Sequence, residues 1–177
     1  PRHGSCRYRK CRGINGDEMI NVKIISVGSL KESYLREAAA EYEKRLSSFC
    51  RLETVELKEA RVRDGESDAA ASAALADEAE RILAAIPARS YRVAMCIEGR
   101  EQDSRGFADM ISRAADAYGM VCFIIGSSHG LDEKVKAARD MRLSLSKLTF
   151  PHQLFRVMLL EAIYRSFNII KGTRYHK

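Results

Sequence analysis

Two pairs of side chains, each spaced four residues apart, stand out in the last third of the chain. His152 and Arg156 form one pair, and Glu161 and Arg165 form the other. On a helix the members of each pair share a face, and at about 100° per residue the second pair points almost opposite to His152. Such groups could accept a proton or bind an anion. The structural alternatives are a capping or core histidine and an ordinary stabilising helix pair.

The C-terminal tail, KGTRYHK, adds cationic and aromatic side chains. Its members are Lys171, Arg174, Tyr175, His176 and Lys177. Basic side chains with one aromatic ring suit a nucleic-acid phosphate backbone and a stacked base. The alternative is a solvated, frayed terminus.

A glycine pair, Gly126-x-x-x-Gly130, follows the apolar run MVCFII. Its spacing is neither that of the dinucleotide fingerprint nor that of a P-loop, because no Gly-Lys-Ser/Thr follows. The segment is typical of a backbone-lined ligand turn, and it is equally compatible with a turn that needs positive φ.

An alternation of strands and helices must position these residues. Apolar patterning predicts strands at 22–27, 52–57, 91–97, 120–125 and 142–146. It predicts helices after a Ser29/Glu32 capping box, at 68–86, at 107–118 with Gly119 at C′, at 132–139, and from Pro151 to Ile170 with Thr149 as the cap. This βα order predicts one α/β domain over 19–177, with a mostly parallel sheet and helices on both faces.

Three predicted loops leave strand carboxyl ends: 98–101, 126–130 and 146–150. Ligands of such sheets bind beyond these ends, so we expect the three loops to wall one crevice. The polar loop at 59–67 is expected to be mobile. The last helix is apolar almost all round, which indicates burial on most sides and favours self-association.

Composition limits the class of protein. The chain has 177 residues, 46% apolar and 31% charged, with a net charge of +6. No apolar run approaches the roughly 20 residues of a membrane span, and the basic excess permits an anionic partner. Residues 1–18 are basic and lack apolar periodicity, so we interpret them as a disordered extension, with an RNA-binding arm as the alternative.

Cysteine usage points to a reducing compartment. The five cysteines, at positions 6, 11, 50, 96 and 122, are odd in number and scattered in spacing. We predict reduced thiols, no disulfide, no metal site and a cytoplasmic protein.

The segments MINVKIISVGSLKESYL, CFIIGSSHGL and LSLSKLTFPHQLFRVMLLEAIYRSFNIIKGTRYHK resemble the bacterial 23S rRNA pseudouridine N3-methyltransferases, the RlmH family of the SPOUT superfamily. The resemblance covers 19–177. It implies a SPOUT fold with a C-terminal trefoil knot, a homodimer, S-adenosylmethionine as methyl donor, and a large-subunit rRNA substrate within the subunit or the ribosome. The homodimer agrees with the unusually apolar last helix.

Site residues carry over from the resemblance position by position. The S-adenosylmethionine site would comprise Met95, Gly126, Leu145, Ser146, Lys147, Leu148, Thr149 and Phe150. The catalytic group would comprise His176, Arg165, Tyr175 and His152, with Arg156, Arg174 and Lys177 on RNA. Two departures stand out, because the family usually has Gly where Ser127 stands and Asp where Cys96 stands.

The implied reaction needs the N3 proton to be removed, because an imide nitrogen is nucleophilic only after deprotonation. We expect His176, Tyr175 and Arg165 to gather at the mouth of the crevice. His176 is the expected base, since an unperturbed imidazole titrates near pH ~6.5, and Arg165 would stabilise the developing anion.

Three alternatives stay open on the sequence. They are a related methyltransferase acting on another RNA such as tRNA, a non-catalytic RNA-binding ribosome assembly factor, and a small-molecule methyltransferase. Ser127 and Cys96 would favour the second alternative.

Overall fold

A computed structural model describes residues 19–60, 67–173 and 175. Five parallel strands form one sheet in the order β2-β1-β4-β3-β5. They are β1 (Ile20–Val27), β2 (Cys50–Leu57), β3 (Tyr91–Glu101), β4 (Met120–Ile125) and β5 (Met141–Ser144). The helices are α1 (Ser33–Leu46), α2 (Asp68–Ala85), α3 (Ser104–Tyr118), α4 (Glu133–Ala137) and α5 (His152–Ile170). The predicted α/β class with a parallel sheet is confirmed.

Helices cover both faces of the sheet, as predicted. On one face α1, α3 and α5 pack against alternate strand residues such as Ile24 and Phe123, which are fully buried. On the other face α2 and α4 pack against the intervening residues, including Ile25 and Ile124. The strands are therefore apolar on both sides, as is expected of a sheet covered by crossover helices. The strand order is consistent with the SPOUT fold, and the knot stays a prediction.

The predicted capping box at the start of α1 is wrong. Glu32 is itself the N-cap and makes no side-chain capping bond. The preceding segment is held elsewhere, because the Lys31 backbone N–H donates to Gln153 Oε1 on α5 at 2.8 Å. The Arg36 guanidinium, for its part, donates back to the Leu30 carbonyl at 3.1 Å. These tertiary bonds leave Ser29 exposed before the helix begins.

The predicted Thr149 cap on the last helix is also wrong. Pro151 occupies the N-cap with extended ψ, Thr149 is exposed, and α5 begins at His152. A proline disfavours helical geometry in the residue before it, so Phe150 stays outside the helix. The C-terminal bound at Ile170 is as predicted.

The predicted turn at 98–100 is instead part of a strand. β3 shifts its register between Met95 and Arg100 and then resumes pairing with Leu143 and Ser144 of β5. Gly99 permits this, because a Cβ there would lie 2.5 Å from the Leu143 carbonyl carbon. The other strand and helix bounds differ from the predicted ones by one or two residues, apart from the start of α3, which begins three residues earlier.

Candidate functional site

Three strand ends meet at one edge of the sheet. Met95 of β3 pairs with Ile125 of β4 on one side and with Leu143 of β5 on the other. The segments that follow these positions, 96–101, 126–130 and 144–150, therefore lie side by side at the carboxyl edge. The expectation that three loops wall one crevice agrees with this arrangement, although the first of them is an irregular strand.

The loop after β4 is drawn tight around Gly126. A Cβ on Gly126 would fall inside van der Waals contact of the Gly130 carbonyl oxygen and 3.1 Å from Leu131 Cδ2. The Gly130 N–H donates to the Ser127 carbonyl at 3.0 Å, which closes the turn. Ser127 is buried, so a serine is accommodated at the position where the resemblance expects a second glycine. Ser128 and His129, between these two glycines, are exposed.

The loop after β5 is shaped by two serines. The Ser144 hydroxyl donates to the Ser146 carbonyl at 2.7 Å, and the Leu148 N–H donates to Ser146 Oγ at 3.0 Å. Leu145 packs on the core, whereas the Leu148 side chain is 69% exposed. An exposed leucine at a crevice wall provides an apolar surface that a flat ring could cover.

The N-terminal end of α5 reaches the same carboxyl edge at β1. Gly28 ends β1 with φ of +86°, and a Cβ there would lie 3.2 Å from His152 Nε2 and 3.6 Å from Glu59 Oε2. The imidazole and the carboxylate thus both lie close to a position that glycine leaves open. His152 is half-buried beside the crevice loops.

Arg156 is held inside the protein. Its side chain is 8% exposed and its Nη1 donates to Glu56 Oε1 at 2.5 Å and to Ser26 Oγ at 3.4 Å. A buried guanidinium paired in this way ties α5 to β1 and β2. The structure therefore shows Arg156 in an interior ion pair, and its predicted contact with RNA stays a prediction.

The other end of α5 lies at the opposite edge of the sheet. Tyr164 packs edge-on against Phe49 at 5.7 Å, and Lys171 Nζ donates to the Ser48 carbonyl at 3.4 Å. Ser48 and Phe49 precede β2, so they mark the amino edge. Thirteen residues of helix, roughly 20 Å, separate His152 from Arg165.

Glu161, Arg165 and Tyr175 form a cluster at this amino edge. Arg165 Nη2 donates to Glu161 Oε1 at 2.5 Å, Tyr175 Oη donates to the same oxygen at 3.4 Å, and the guanidinium carbon stands 5.2 Å from the Tyr175 ring centroid. The Glu161 hydrogen bond raises the pKa of Arg165. Partial burial, and then the Glu161 charge, raise the pKa of Tyr175, so its phenol stays protonated at neutral pH.

The predicted catalytic group is thus divided within one protomer. Arg165 and Tyr175 lie together, as expected, but His152 lies at the other end of α5 and the crevice mouth is beside His152. His176, Arg174 and Lys177 lie outside the described residues, as do 1–18 and 61–66. The predictions that fall on those positions stay predictions.

The charges behind the crevice come from α4. The Lys136 ammonium lies 2.6 Å from Glu98 Oε1, which raises the pKa of Lys136 and lowers the pKa of Glu98. Cys96, where the resemblance expects Asp, makes only a long contact of 3.8 Å to the Ala94 carbonyl, and burial raises its pKa. The neutral thiol supplies no charge to the site.

The three described cysteines are free thiols. Burial raises the pKa of Cys50 and of Cys122 to about 12, which makes both inert at neutral pH. Within the described part of the chain no group of three or more His, Cys, Asp or Glu could hold a metal ion. None of its helices combines the length and the apolar character that crossing a membrane requires.

The sequence-based prediction missed the contribution of β1 and β2 to this edge. His152 lies near Gly28 and Glu59, and its neighbour Gln153 accepts from the Lys31 N–H. None of these three partners was assigned a role. Ligands bind beyond the carboxyl ends of parallel strands, and this rule applies to β1 and β2 as well. The sequence therefore did contain a signal for this part of the edge. The contact of Glu59 with Ser128, 69 positions away, depends on the tertiary fold alone.

Comparison with known proteins gives a consistent result. A family model described as "Predicted SPOUT methyltransferase" matches residues 20–176. Proteins named "Ribosomal RNA large subunit methyltransferase H" from Leuconostoc mesenteroides and Streptococcus pyogenes are 43% and 45% identical over 159 residues, which span 89% of this chain and all of each relative.

Solved structures agree at the level of the fold. A probable methyltransferase from Bordetella pertussis superposes with a TM-score of 0.53 at 18% identity, covering 84% of this chain and 96% of that one. A probable methylase family protein from Haemophilus influenzae gives 0.51 at 12% identity, covering 89% and 71%.

Proposed function

Because the chain belongs to the SPOUT methyltransferase family, we propose that it is the enzyme that methylates N3 of a pseudouridine in 23S rRNA, with S-adenosylmethionine as donor. The observation that carries the proposal is the match along the entire length of relatives named ribosomal RNA large subunit methyltransferase H. A substrate in the large subunit or the ribosome would place its work in the cytoplasm.

The carboxyl-edge crevice suits the donor by shape and chemistry. Gly126 lets the Gly130 backbone approach closely, which keeps the 126–130 loop compact, and the 144–148 turn lies beside the exposed Leu148. We assign Met95, Gly126, Leu145, Ser146, Lys147, Leu148, Thr149 and Phe150 to this site. When bound, S-adenosylmethionine supplies a methyl carbon activated by a sulfonium.

The chain's residues must orient the base and accept the N3 proton. Holding the reactants in line can supply several kcal/mol. His152 lies beside Gly28, one helical turn before the buried Arg156, which pairs with Glu56. His176 stays our proposed base, and Arg165, with Tyr175, would stabilise the imidate that forms when N3 loses its proton.

The separation of Arg165 and Tyr175 from the crevice supports the proposed homodimer. Each protomer keeps its own cluster at the amino edge, about 20 Å of helix away from His152. In a two-fold dimer, the cluster of one protomer can lie at the crevice of the other. Leu154, 39% exposed on α5, is available to such an interface.

The test is mass spectrometry of 23S rRNA from a strain that lacks this protein. We expect one methylated pseudouridine to revert to pseudouridine, and reintroduction of the protein to restore it. Calorimetry with S-adenosylmethionine tests the donor separately. An unchanged rRNA methylation pattern would contradict the proposal.

A further inference from the structure

A groove of about 820 Å³ lies at the ends of β1 and β2, next to the crevice. Its wall includes Gly28, Lys31, Lys58, Glu59, Ser128 and His129. It shares the 126–130 loop with the crevice, so an occupant would lie beside the methyl donor. The volume is within the range of about 300–1,000 Å³ that binding sites for small organic groups occupy.

The wall carries the chemistry that a nucleotide needs. Lys31 and Lys58 are exposed and cationic, which suits phosphate oxygens. Glu56, which also lines the groove, is already engaged by Arg156. Glu59 is therefore the carboxylate that is available to a ligand.

The two carboxylate oxygens of Glu59 have different surroundings. Oε1 accepts from the Ser128 hydroxyl at 3.1 Å and from the Ser128 N–H at 3.4 Å. Among the residues that the structure describes, none donates to Oε2, which stands 3.6 Å from the position of a Cβ on Gly28. One oxygen thus fixes the carboxylate, and the other is a pre-oriented acceptor at the groove wall.

Pseudouridine differs from uridine in one feature of its hydrogen bonding. Its base is joined to ribose through carbon, so N1 carries a hydrogen and can donate, whereas N1 of uridine is the glycosidic nitrogen and cannot. An acceptor aimed at N1–H therefore separates the two. N1 and N3 flank the same carbonyl group, so holding N1–H also fixes the direction of N3.

We propose that this groove receives the target nucleotide and that Glu59 Oε2 accepts the N1–H of pseudouridine, which makes Glu59 a specificity-determining residue. The inference rests on the proposed function. A site that hydrogen-bonds a substrate group disfavours the analogue lacking it, because the acceptor loses that partner. A carboxylate acceptor strengthens that discrimination.

The experiment measures kcat/KM for transfer of labelled methyl from S-adenosylmethionine to large ribosomal subunits with pseudouridine at the target position, and to matched subunits with uridine there. We expect the wild-type protein to prefer pseudouridine strongly. Glu59→Gln should lower kcat/KM on pseudouridine by about tenfold and Glu59→Ala by more, with little loss on uridine. The selectivity ratio should fall correspondingly.

Ser128→Ala is the matched control. It removes the hydroxyl that fixes Oε1 but leaves the carboxylate, so it should weaken S-adenosylmethionine binding through the 126–130 loop while keeping the selectivity ratio above that of Glu59→Gln. If Glu59 had only a structural role, Ser128→Ala and Glu59→Gln would change the selectivity ratio by similar amounts. Thermal unfolding of each variant checks that the isosteric Glu59→Gln is folded.

The outcomes separate this inference from the proposed function. If the wild-type protein methylates neither particle, the proposed function fails and the inference fails with it. If the wild-type protein prefers pseudouridine and Glu59→Gln keeps the same ratio, only the role of Glu59 is overturned. If the wild-type protein methylated the pseudouridine and uridine subunits at equal rates, the role of Glu59 would be overturned as well.

Discussion

The two ends of α5 are built on different physical principles. At the N-terminal end, His152 lies against Gly28, and the buried Arg156 pairs with Glu56. At the other end, Glu161, Arg165 and Tyr175 meet through partly exposed side chains. The first arrangement depends on close backbone packing, and the second depends on charged and aromatic side chains that solvent partly reaches. In the function proposed above one site uses both, and α5 keeps them at opposite edges of the sheet.

The largest difference between the two regions should come from replacing one glycine by alanine in each, at the crevice and at the C-terminal end of α5. In Gly126→Ala the new Cβ collides with the Gly130 carbonyl, so the loop must shift. A misplacement of reacting groups by about 1 Å can lower a reaction rate about 100-fold. We therefore expect methyl transfer to fall by about that factor, and S-adenosylmethionine to bind more weakly in calorimetry.

Gly172→Ala is the control at the far end of α5. Gly172 also has positive φ, at +68°, but a Cβ there meets nothing within 4 Å. It should lower the free energy of unfolding by about 1 kcal/mol and leave the affinity for S-adenosylmethionine unchanged. If both variants bound S-adenosylmethionine with the same affinity, the proposed difference between the two ends of α5 would be contradicted.

Mixed dimers should show whether the two ends cooperate between protomers. Gly126→Ala and Arg165→Ala proteins are each expected to be inactive in methyl transfer. If the cluster of one protomer serves the crevice of the other, a heterodimer regains one working site, and an equal mixture should reach about a quarter of wild-type activity. Mixing two samples of Gly126→Ala is the control. An inactive mixture in which heterodimers have formed would contradict the arrangement.

Double-mutant cycles should give unequal coupling energies for the two ion pairs. Arg156–Glu56 joins an 8% exposed guanidinium to a 42% exposed carboxylate, whereas Arg165–Glu161 is 34% and 26% exposed. We expect coupling of about 2 kcal/mol for the first pair and about 0.5 kcal/mol for the second.

Denaturant unfolding of the single and double variants gives both values. Glu56→Gln should cost more than Arg156→Met, because it leaves the buried guanidinium without its carboxylate. Coupling energies that are the same for both pairs would show that burial does not distinguish them.

The smallest effect should come from Glu98 and Lys136 behind the crevice. The pair lowers the pKa of Glu98 below its ordinary 4.5 and raises that of Lys136 above its ordinary 10.5. Its stabilisation is therefore complete between these values, is lost at lower pH as Glu98 takes up a proton in the folded state, and is lost at higher pH as Lys136 releases one.

Glu98 is 47% exposed, so we expect Glu98→Gln to cost only about 0.5 kcal/mol at neutral pH. Thermal melts of this variant and the wild-type protein from acid to alkaline pH should converge at both extremes. A difference that does not change with pH would show that the ion pair is not its cause.

Much of the fold could be predicted because strands and helices have local signatures. The buried run at 120–125 and the helix ending at Gly119 were located correctly, since apolar periodicity and a glycine stop are properties of neighbouring residues. The Ser29/Glu32 box and the Thr149 cap were wrong because Gln153 and Pro151 override them. The residues proposed for the donor site come from the resemblance, and the rule about strand ends agrees with them.

By itself the sequence determined the element order, the parallel class of the sheet and the family, because these depend on local pattern and on motif identity. Only the tertiary structure decided that Gly28 and Glu59 lie beside His152, that Arg156 is buried, and that Arg165 and Tyr175 lie at the other edge. These facts depend on contacts between positions far apart in the chain, and hydrophobic periodicity carries no information about which partners those positions meet.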